Sequence, residues 1–271
     1  MIRVSFQGER GAYSEAAAIS FFGNKIETVP SPTFLEVIQN TQNDKTEYSI
    51  LPIENSIEGS IGESNDLLNL TTLNAVGEIY HKIKHCLIGF DSLEKIDTVY
   101  SHPQALGQCR NFIQKHNFKT VPTYDTAGSV NIIKELKKEN IACIASRQAS
   151  EIFQVPVILE GIADNPNNTT RFLILSKDKS KESKKDKTSI IFSIKHEPGA
   201  LHHIIEKIAE YGINLTKIES RPKKDTSWEY NFYVDFEGNV NNPRVKEMLN
   251  KIKEKTLFLK ILGSYPSADI N

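Results

Sequence analysis

The sequence of 271 residues predicts an α/β protein in two parts, on the strength of three observations. Over residues 1–176, apolar β-branched segments alternate with helical segments, which is typical of a domain with a mostly parallel sheet. From residue 188 onward the elements follow the order βαββαβ of a ferredoxin-like unit. Between the two parts, the stretch KDKSKESKKDK (177–187) contains no apolar residue, so burial cannot offset its ordering entropy and we expect a solvated linker.

The first part begins with a strand, IRVSF, and a helix that runs through AAAISFF. Ser14 is predicted to cap this helix, and Gly23 to end it. The later predicted strands are TEYSILPIE, IDTVYS, residues 120–124, IACIAS, VPVILEGI and RFLILSK. The later predicted helices begin at Pro103 and within DTAGSV and SRQASEIF. In such a sheet, ligands bind beyond the carboxyl ends of the strands, where helices begin.

The second part begins with the strand TSIIFSIK (188–195). A helix follows, because apolar residues recur at helical spacing from Ala200 to Ala209, and Gly212 suits the position just past its end. LTKIES and residues 228–236 are predicted strands. Asn242 and Pro243 then supply the cap and first residue of a second helix, and TLFLKILG is the last strand.

Composition excludes several classes of function. The formal net charge of -1 gives no electrostatic case for binding nucleic acid. The three cysteines, Cys86, Cys109 and Cys143, form no CxxC pair, and the histidines are dispersed, so we expect reduced thiols and no metal site. The N-terminus does not resemble a signal peptide, and no apolar run approaches about 18 residues. A cytoplasmic protein without a membrane span is therefore expected.

Small polar residues follow the predicted strands, which indicates a cleft for an anionic small molecule. A single such junction is usually only a helix cap, but several at one sheet edge would surround a cleft. Helix N-termini there offer free N–H groups and a positive dipole end to a carboxylate. The junctions are QGERGAYS (7–14), Glu54-Asn55-Ser56 with Gly59-Ser60, Ser101-His102-Pro103-Gln104, Asp125 to Ser129, and Asn165 to Thr170.

The individual candidates remain ambiguous from the residues alone. Gln104 and Gln108 share one side of their helix, so Gln108 either points its amide into the cleft or is an ordinary exposed residue. Glu54 is either an acid or base or a loop cap. No GxSxG, HExxH or Walker loop is present. The residues therefore indicate an α/β cleft, lined by amides and hydroxyls, that binds a carboxylated ligand.

Five of these stretches resemble motifs of the prephenate dehydratase family. They are GERGAYSEAAA, LPIENSIEGSIGE, YSHPQALGQC, DTAGSV and NNTTRFLIL, and they span nearly all of residues 1–176. The C-terminal unit resembles an ACT domain of the phenylalanine-regulated type, through Gly199-Ala200-Leu201-His202 and Glu219-Ser220-Arg221-Pro222. No chorismate mutase segment precedes the dehydratase motifs, so the chain resembles the monofunctional enzyme.

The resemblance implies a two-lobed, periplasmic-binding-protein-like catalytic domain over residues 1–176, with the active site between the lobes. Lobe one would comprise residues 1–77 and 160–176, lobe two residues 78–159, and the ACT domain residues 188–271. The implied enzyme is a carbon–oxygen lyase that converts prephenate to phenylpyruvate, CO₂ and water in phenylalanine biosynthesis. It would need no metal or redox cofactor, and phenylalanine would regulate it by feedback.

The resemblance also assigns roles to catalytic residues. Thr170 matches the essential hydroxyl of the family and would hydrogen-bond the departing oxygen at C4, with a proton relayed from water or Glu54. Arg171 would orient carboxylates or, alternatively, brace the loop. Asn55 matches a polar position of the active site. The expected substrate-binding residues are Ser101, Gln104, Gln108, Thr126, Ser129 and Phe172, of which Phe172 more readily packs than reacts.

For the ACT domain, the resemblance implies that phenylalanine binds at the strand-to-helix turn around Gly199. ACT domains pair across a two-fold axis, so a homodimer or homotetramer is expected. The expected effector-binding residues are Gly199, Ala200, Leu201, His202, Asn214, Glu219, Ser220 and Arg221. Two alternatives remain open: an arogenate dehydratase, and a non-catalytic amino-acid sensor.

Overall fold

A computed structural model describes residues 1–223 and 229–269, and the strands within these ranges form three sheets. The first sheet has the order β2-β1-β3-β11-β5, with β4 paired to β3. The first elements of the chain are β1 (Ile2–Gln7), α1 (Tyr13–Phe22), β2 (Ile26–Ser31), α2 (Phe34–Gln42), β3 (Tyr48–Asn55), β4 (Gly59–Ser60), α3 (Gly62–Leu70) and β5 (Asn74–Lys82).

The second sheet has the order β10-β6-β9-β7-β8 and forms the other lobe. Its part of the chain contains β6 (Cys86–Gly89), a 3-10 turn (Leu93–Lys95), β7 (Thr98–Ser101), α4 (Pro103–Gln108), α5 (Arg110–Lys115), β8 (Lys119–Pro122), α6 (Gly128–Leu136), β9 (Ile141–Ala145), α7 (Arg147–Phe153) and β10 (Val157–Glu160). Strand β11 (Thr169–Ser176) then returns to the first sheet and lies antiparallel between β3 and β5. The two-lobed α/β architecture is thus confirmed.

The chain passes from the first sheet to the second between Lys82 and Cys86, because β5 continues to Lys82. The sequence had placed this lobe boundary at 77/78. The stretch from Glu78 to Leu87 contains no glycine or proline, so nothing in the sequence marks the point at which the chain leaves the first lobe.

The third sheet has the order β13-β14-β12-β15, and the predicted βαββαβ unit is confirmed. Its elements are β12 (Asp186–Ser193), α8 (Ala200–Glu210), β13 (Leu215–Pro222), β14 (Tyr230–Glu237), α9 (Pro243–Lys253) and β15 (Phe258–Pro266). Both helices pack on one face, where Ile204, Ile208, Val245 and Met248 are buried against the strands. Trp228, the predicted start of the third strand, and the last two residues of the predicted domain lie outside the described residues.

The opposite face of the third sheet packs directly against the first sheet. Leu51, Leu173 and Leu175 of the first sheet share one buried cluster with Ile191 and Leu262 of the third. The backbones approach so closely that a Cβ at Gly263 would collide with the carbonyl oxygen of Ala75. The C-terminal domain is therefore part of a sheet-on-sheet interface rather than a loosely tethered module.

The predicted linker is shorter than its composition suggested, because β12 already begins at Asp186. Both Asp186 and Lys187 are buried, and the Lys187 ammonium contacts Glu78 Oε1 at 2.6 Å. Residues 177–185 are largely exposed. A charged residue can be buried when an opposite charge meets it, and composition alone does not reveal that partner.

Two local predictions concern the ends of α1. Gly23 ends the helix as predicted, with φ of 80° and its N–H donating to Ile19 O at 2.8 Å. The cap prediction was wrong, because Ala12 occupies the N-cap position and Ser14 lies buried within the first turn. No helix among the described residues is long and apolar enough to cross a membrane.

Candidate active site

A cavity of about 510 Å³ lies between the two lobes of the first 176 residues. The first lobe contributes, among others, Gly11, Tyr13, Asn55, Thr170 and Phe172, whereas the second contributes His85, Gln104, Gln108, Asp125 and Thr126. The cavity therefore lies where the junctions between strands and helices were predicted to converge.

Four helices of nine or more residues begin at the wall of this cavity. The lining includes residues at the starts of α1, α2, α3 and α6, namely Tyr13, Phe34, Glu63 and Ala127. The first turn of a helix leaves N–H groups without intrahelical partners, and its dipole end is positive. The described lining residues include no lysine or arginine. The donors on this described wall are thus helix N–H groups, side-chain amides, hydroxyls and the imidazoles of His85 and His102.

Thr170 and Asn55 lie opposite each other on β11 and β3 and face this cavity. Asn55 Oδ1 accepts from the backbone N–H groups of Ile57 and Glu58, both at 3.0 Å, which fixes the orientation of the amide. Asn55 Nδ2 then donates to Thr170 Oγ1 at 2.9 Å. The Thr170 oxygen is an acceptor in this bond. Since the side chain makes no other hydrogen bond to the described residues, its proton is available to a ligand.

The hydrogen bonds continue from Asn55 across the cavity wall into the second lobe. Asn55 Nδ2 also donates to Asn168 Oδ1 at 2.7 Å, and Asn168 Nδ2 donates to Gln108 Oε1 at 2.9 Å. His85 Nε2 lies 2.8 Å from the same Gln108 oxygen, and His85 Nδ1 lies 3.0 Å from the Tyr13 hydroxyl. Burial lowers the pKa of His85, while the bond with Gln108 raises it to a smaller extent.

The sequence did not single out Tyr13, His85 or Asn168. Tyr13 and Asn168 lie in junctions that were identified as polar, but neither was assigned a role. No local pattern distinguishes His85 from the other histidines, because its partners Tyr13 and Gln108 are 72 and 23 residues away. Only the return of the chain between the lobes brings these three side chains together.

Six of the predicted catalytic and substrate-binding residues line the cavity: Asn55, Gln104, Gln108, Thr126, Thr170 and Phe172. Ser101 and Ser129 do not, and their predicted contacts with substrate need correction. The Ser101 hydroxyl donates to Ile144 O and the Ser129 hydroxyl to Thr126 O, both at 2.6 Å. Each serine is fully buried and satisfies a backbone carbonyl of its own lobe instead of facing the cavity.

Arg171 and Glu54 also need correction, because they lie on the opposite face of the first sheet. Side chains alternate along a strand, so Arg171 points away from the face that carries Thr170. The Arg171 guanidinium donates from Nε to Glu78 Oε2 at 2.8 Å and from Nη1 to Asp235 Oδ2 at 2.5 Å. Glu54 faces the third sheet too and accepts from Lys217 Nζ at 3.3 Å. Neither side chain lines the cavity.

Arg171 is the centre of a buried ion cluster between the catalytic lobe and the third sheet. Its side chain is 4% exposed, and those of Glu78 and Asp235 are 0% and 8% exposed. Lys187 supplies a second positive charge, so two cations face two carboxylates. Burial by itself lowers the pKa of Arg171. The carboxylate of Asp235 and the other neighbours raise this pKa by more than burial lowers it, so the net shift is upward and the guanidinium stays charged.

The loop that follows β1 joins the two lobes at the edge of the cavity. The Ser146 hydroxyl donates to Gly11 O at 2.6 Å, and the Tyr124 hydroxyl donates to Glu9 Oε1 at 3.0 Å. Gly8 has φ of 107°, and a Cβ there would lie 2.9 Å from Asp125 Oδ2. Burial raises the pKa of Asp125, which lines the cavity and accepts a bond from Gly128 N at 2.7 Å.

A second, smaller cavity of about 150 Å³ lies in the C-terminal domain at the start of α8. Of the residues predicted to bind phenylalanine, Ala200 and Leu201 line it. Gly199 occupies the N-cap position of α8 with φ of 83°. The described lining of this cavity does not include Gly199, His202, Asn214, Glu219, Ser220 or Arg221.

Arg221 contacts the catalytic domain instead of the small cavity. Its guanidinium donates from Nε to Asp66 Oδ1 at 3.1 Å and lies against Gly62, where a Cβ would be 2.5 Å from Nη1. Lys260 donates to the carbonyl oxygens of Leu68 and Asn69 at the other end of α3, at 3.0 and 2.9 Å. The C-terminal domain thus holds α3, whose first turn lines the large cavity, at both ends.

Residues 1–223 and 229–269 contain no group of three His, Cys, Asp or Glu side chains placed to hold a metal ion. Cys86, Cys109 and Cys143 are free and buried, and burial raises the pKa of each thiol.

Comparison with known proteins gives two family matches. Residues 4–180 match the family model of prephenate dehydratase, and residues 188–254 match that of the ACT domain. A relative from Methanocaldococcus jannaschii, named prephenate dehydratase, is 40% identical over 96% of this chain and 96% of its own length. An Arabidopsis thaliana relative, named arogenate dehydratase/prephenate dehydratase 1, is 38% identical over 98% of this chain and 72% of its own length.

A solved structure gives the same result for the fold. Prephenate dehydratase from Arthrobacter aurescens in complex with L-Phe superposes with a TM-score of 0.89 at 28% identity. The match covers 99% of this chain and 91% of that chain.

Proposed function

Given that the chain belongs to the prephenate dehydratase family, we propose that it converts prephenate to phenylpyruvate, CO₂ and water in the cavity between its lobes, under feedback control by phenylalanine. The observation that carries this proposal is the hydrogen bond from Asn55 Nδ2 to Thr170 Oγ1 at 2.9 Å. It turns the Thr170 oxygen into an acceptor and leaves the hydroxyl proton for the substrate.

The chemistry needs a hydrogen-bond donor at one oxygen of the substrate. Prephenate carries a carboxylate at ring C1 and a hydroxyl at C4. When the bond from C1 to the carboxylate carbon breaks, its electron pair moves into the ring and the C4–oxygen bond breaks, which leaves an aromatic ring. The oxygen departs as hydroxide and takes a proton to become water. A Thr170 hydroxyl aimed at the developing negative charge stabilises the transition state by about 3 kcal/mol.

The same chemistry accounts for the absence of lysine and arginine from the described part of the cavity wall. An ion pair with the ring carboxylate would stabilise the substrate more than the transition state, in which that charge is leaving the carboxylate. Helix N–H groups and amides hold a carboxylate with partial charges only. Among the described residues, the starts of α1, α2, α3 and α6 can do so, while Gln104, Gln108 and Thr126 supply polar side chains.

Arg171 and Glu54 have no direct part in this proposal, and the proton taken by the hydroxide does not come from Glu54. The carboxyl groups on the described cavity wall are Glu63 and Asp125. Burial raises the pKa of Asp125, which favours a protonated carboxyl. Solvent water in the cavity supplies the proton directly or by way of this group.

We assign the regulatory role to residues 188–269 and propose that phenylalanine binds at the start of α8, beside Ala200 and Leu201. Residues 1–176 form the catalytic domain in this scheme. Packing of the third sheet against the first, and of Arg221 and Lys260 against α3, connects the effector site to the catalytic lobe. A homodimer or homotetramer and a cytoplasmic location, consistent with three free thiols, complete the proposal.

Arogenate is the second candidate substrate, favoured by the name of the Arabidopsis relative and by the acidic side chain of Glu63 on the cavity wall, which suits an ammonium group. Phenylpyruvate formation from prephenate, compared with phenylalanine formation from arogenate by the same purified protein, decides between the two. We expect faster turnover of prephenate, and a decrease when phenylalanine is added. A folded protein that turns over neither compound yet binds phenylalanine would be a sensor.

A further inference from the structure

We propose that His85 and Asn168 are positioning residues that hold the carbonyl oxygen of Gln108, so that its NH₂ group, and not its oxygen, is presented to the substrate. The proposal deepens the proposed function and rests on it for its kinetic consequence. The direction of each hydrogen bond, in contrast, is argued from the geometry of the cavity wall alone.

The backbone fixes the orientation of the amide of Asn55, which is the first residue in this series of hydrogen bonds. The N–H groups of Ile57 and Glu58 can only donate, and both point at Asn55 Oδ1 at 3.0 Å. The other end of this amide is therefore the nitrogen, and it donates to Asn168 Oδ1 at 2.7 Å. Asn168 in turn has its nitrogen towards Gln108 Oε1, at 2.9 Å. No amide in this series can be reversed without opposing two donors or two acceptors.

The same logic fixes the protonation of His85. Gln108 Oε1 has its second contact with His85 Nε2, at 2.8 Å, and an oxygen can only accept, so Nε2 carries a proton. In the neutral ring Nδ1 is then an acceptor, and it lies 3.0 Å from the Tyr13 hydroxyl, whose single proton it shares with the carbonyl oxygen of Lys84 at 2.8 Å. His85 is 2% exposed and Asn168 is 0% exposed, so neither can exchange these partners for water.

This arrangement leaves the NH₂ group as the end of Gln108 that can meet a ligand. Its contact in the protein is Glu58 Oε1 at 3.3 Å, which is longer than the two bonds that the Gln108 oxygen accepts. With the Thr170 hydroxyl, one directed network therefore gives the wall two donors. A reversed Gln108 amide would present an acceptor to a substrate that carries two carboxylates and releases hydroxide, so an error in orientation replaces an attraction by a repulsion.

The first test compares His85→Leu, which has no donor, with His85→Gln, whose amide nitrogen can reproduce Nε2. We expect kcat on prephenate to fall by on the order of tenfold to a hundredfold in His85→Leu, with a smaller change in KM. His85→Gln should recover most of that loss. In a Gln108→Ala background, His85→Leu should have little further effect, because the residue that it positions is gone. Full additivity of the two changes, or near-normal turnover of His85→Leu, would overturn the proposal.

The second test uses the native protein and needs no activity. In a nitrogen-detected NMR spectrum of histidine-labelled protein, with the His85 signal assigned by its loss in His85→Gln, we expect the proton on Nε2. A proton on Nδ1 alone would leave Gln108 Oε1 facing an acceptor and would overturn the proposal even if His85→Leu does not fold. If the wild-type protein fails on prephenate while the Nε2–H form is found, the proposed substrate is wrong and the positioning network stands.

Discussion

The two faces of strand β11 differ in the way in which they use polar groups. On the cavity face, Thr170 and Phe172 lie in a wall of hydroxyls, amides and helix ends that carries no described lysine or arginine. On the opposite face, Arg171 is buried among the charges of Glu78 and Asp235. A catalytic surface that must let negative charge leave is served by partial charges. The buried interface instead uses full charges in opposite pairs, and removal of one partner would leave the other charge buried without compensation.

The largest expected effect comes from removing the Arg171 guanidinium from the charged face of β11. Arg171→Met leaves Asp235 without its guanidinium partner in a site from which water is excluded, and leaves Glu78 with the Lys187 ammonium and the Ala268 N–H as partners. The loss should destabilise the protein by about 3–5 kcal/mol, as measured by urea unfolding. Activity lost from this variant would follow loss of structure. A stable Arg171→Met protein that lost only kcat would mean that Arg171 acts on the substrate after all.

The second effect breaks the uncharged face. Thr170→Ala should lower kcat/KM by about a hundredfold, or ~3 kcal/mol of transition-state stabilisation, because the donor to the departing oxygen is lost. The free energy of unfolding should change by about 1 kcal/mol at most, since one neutral hydrogen bond is involved. Thr170→Ser, which keeps the hydroxyl, is the matched control. Near-normal turnover by a folded Thr170→Ala protein would contradict the role of Thr170.

A third prediction tests whether the charged contacts transmit the effector signal. Arg221→Lys keeps the charge but loses the fork that contacts Asp66 through Nε and Nη2 at 3.1 and 3.4 Å. We expect phenylalanine to inhibit this variant severalfold less, a change in coupling of about 1 kcal/mol, while kcat without phenylalanine stays within about twofold. Inhibition curves and phenylalanine binding measured by calorimetry separate coupling from affinity. An unchanged inhibition constant would mean that the contact of Arg221 with α3 does not transmit the effector signal to the cavity.

The smallest expected effect is a change in how the stability of the protein depends on pH. It tests whether the cavity wall keeps the His85 ring neutral. Burial lowers the pKa of His85 below its usual 6.5, so folding favours the neutral ring. Between the folded pKa and pH 6.5 the unfolded chain therefore binds more protons than the folded protein. The contribution of His85 to the free energy of unfolding is highest above pH 6.5 and declines as the pH falls towards the folded pKa. His85→Gln should lose less stability than the wild type between pH 6.5 and pH 5 in thermal melts. His81, whose pKa burial also lowers, provides the reference through His81→Gln.

Periodicity and turn chemistry predicted most of the fold, and the misses have physical causes. Helix α3 escaped prediction because Ile61, at its N-cap, makes no capping hydrogen bond and offers no sequence signal. Helix α2 does carry a sequence signal, because Thr33 and Glu36 have the spacing of a capping box, and Thr33 Oγ1 accepts from Glu36 N at 3.2 Å. The ion cluster could not be predicted, because Glu78, Lys187 and Asp235 are distant in sequence and follow no pattern.

The candidate site was predicted in outline, and its main error was avoidable. The polar junctions identified the cavity and six of its lining residues. Thr170 and Arg171 were nevertheless assigned to one site, although the alternation of a strand places neighbours on opposite faces. The same rule separates Asn55 from Glu54 on β3, whose partners across the ladder are Thr170 and Arg171. His85 required the three-dimensional structure, since its role depends on a contact across the cleft.

The alternation of β11 also limits how the segment can change during evolution. Substitutions on one face leave the other untouched, so the catalytic wall and the interface can diverge independently. An insertion or deletion of one residue within the first positions of β11 would instead exchange the faces, and would put a guanidinium into the cavity and a threonine among Glu78 and Asp235. Length changes in this region should therefore accumulate in the exposed residues 177–185, beyond the end of the strand.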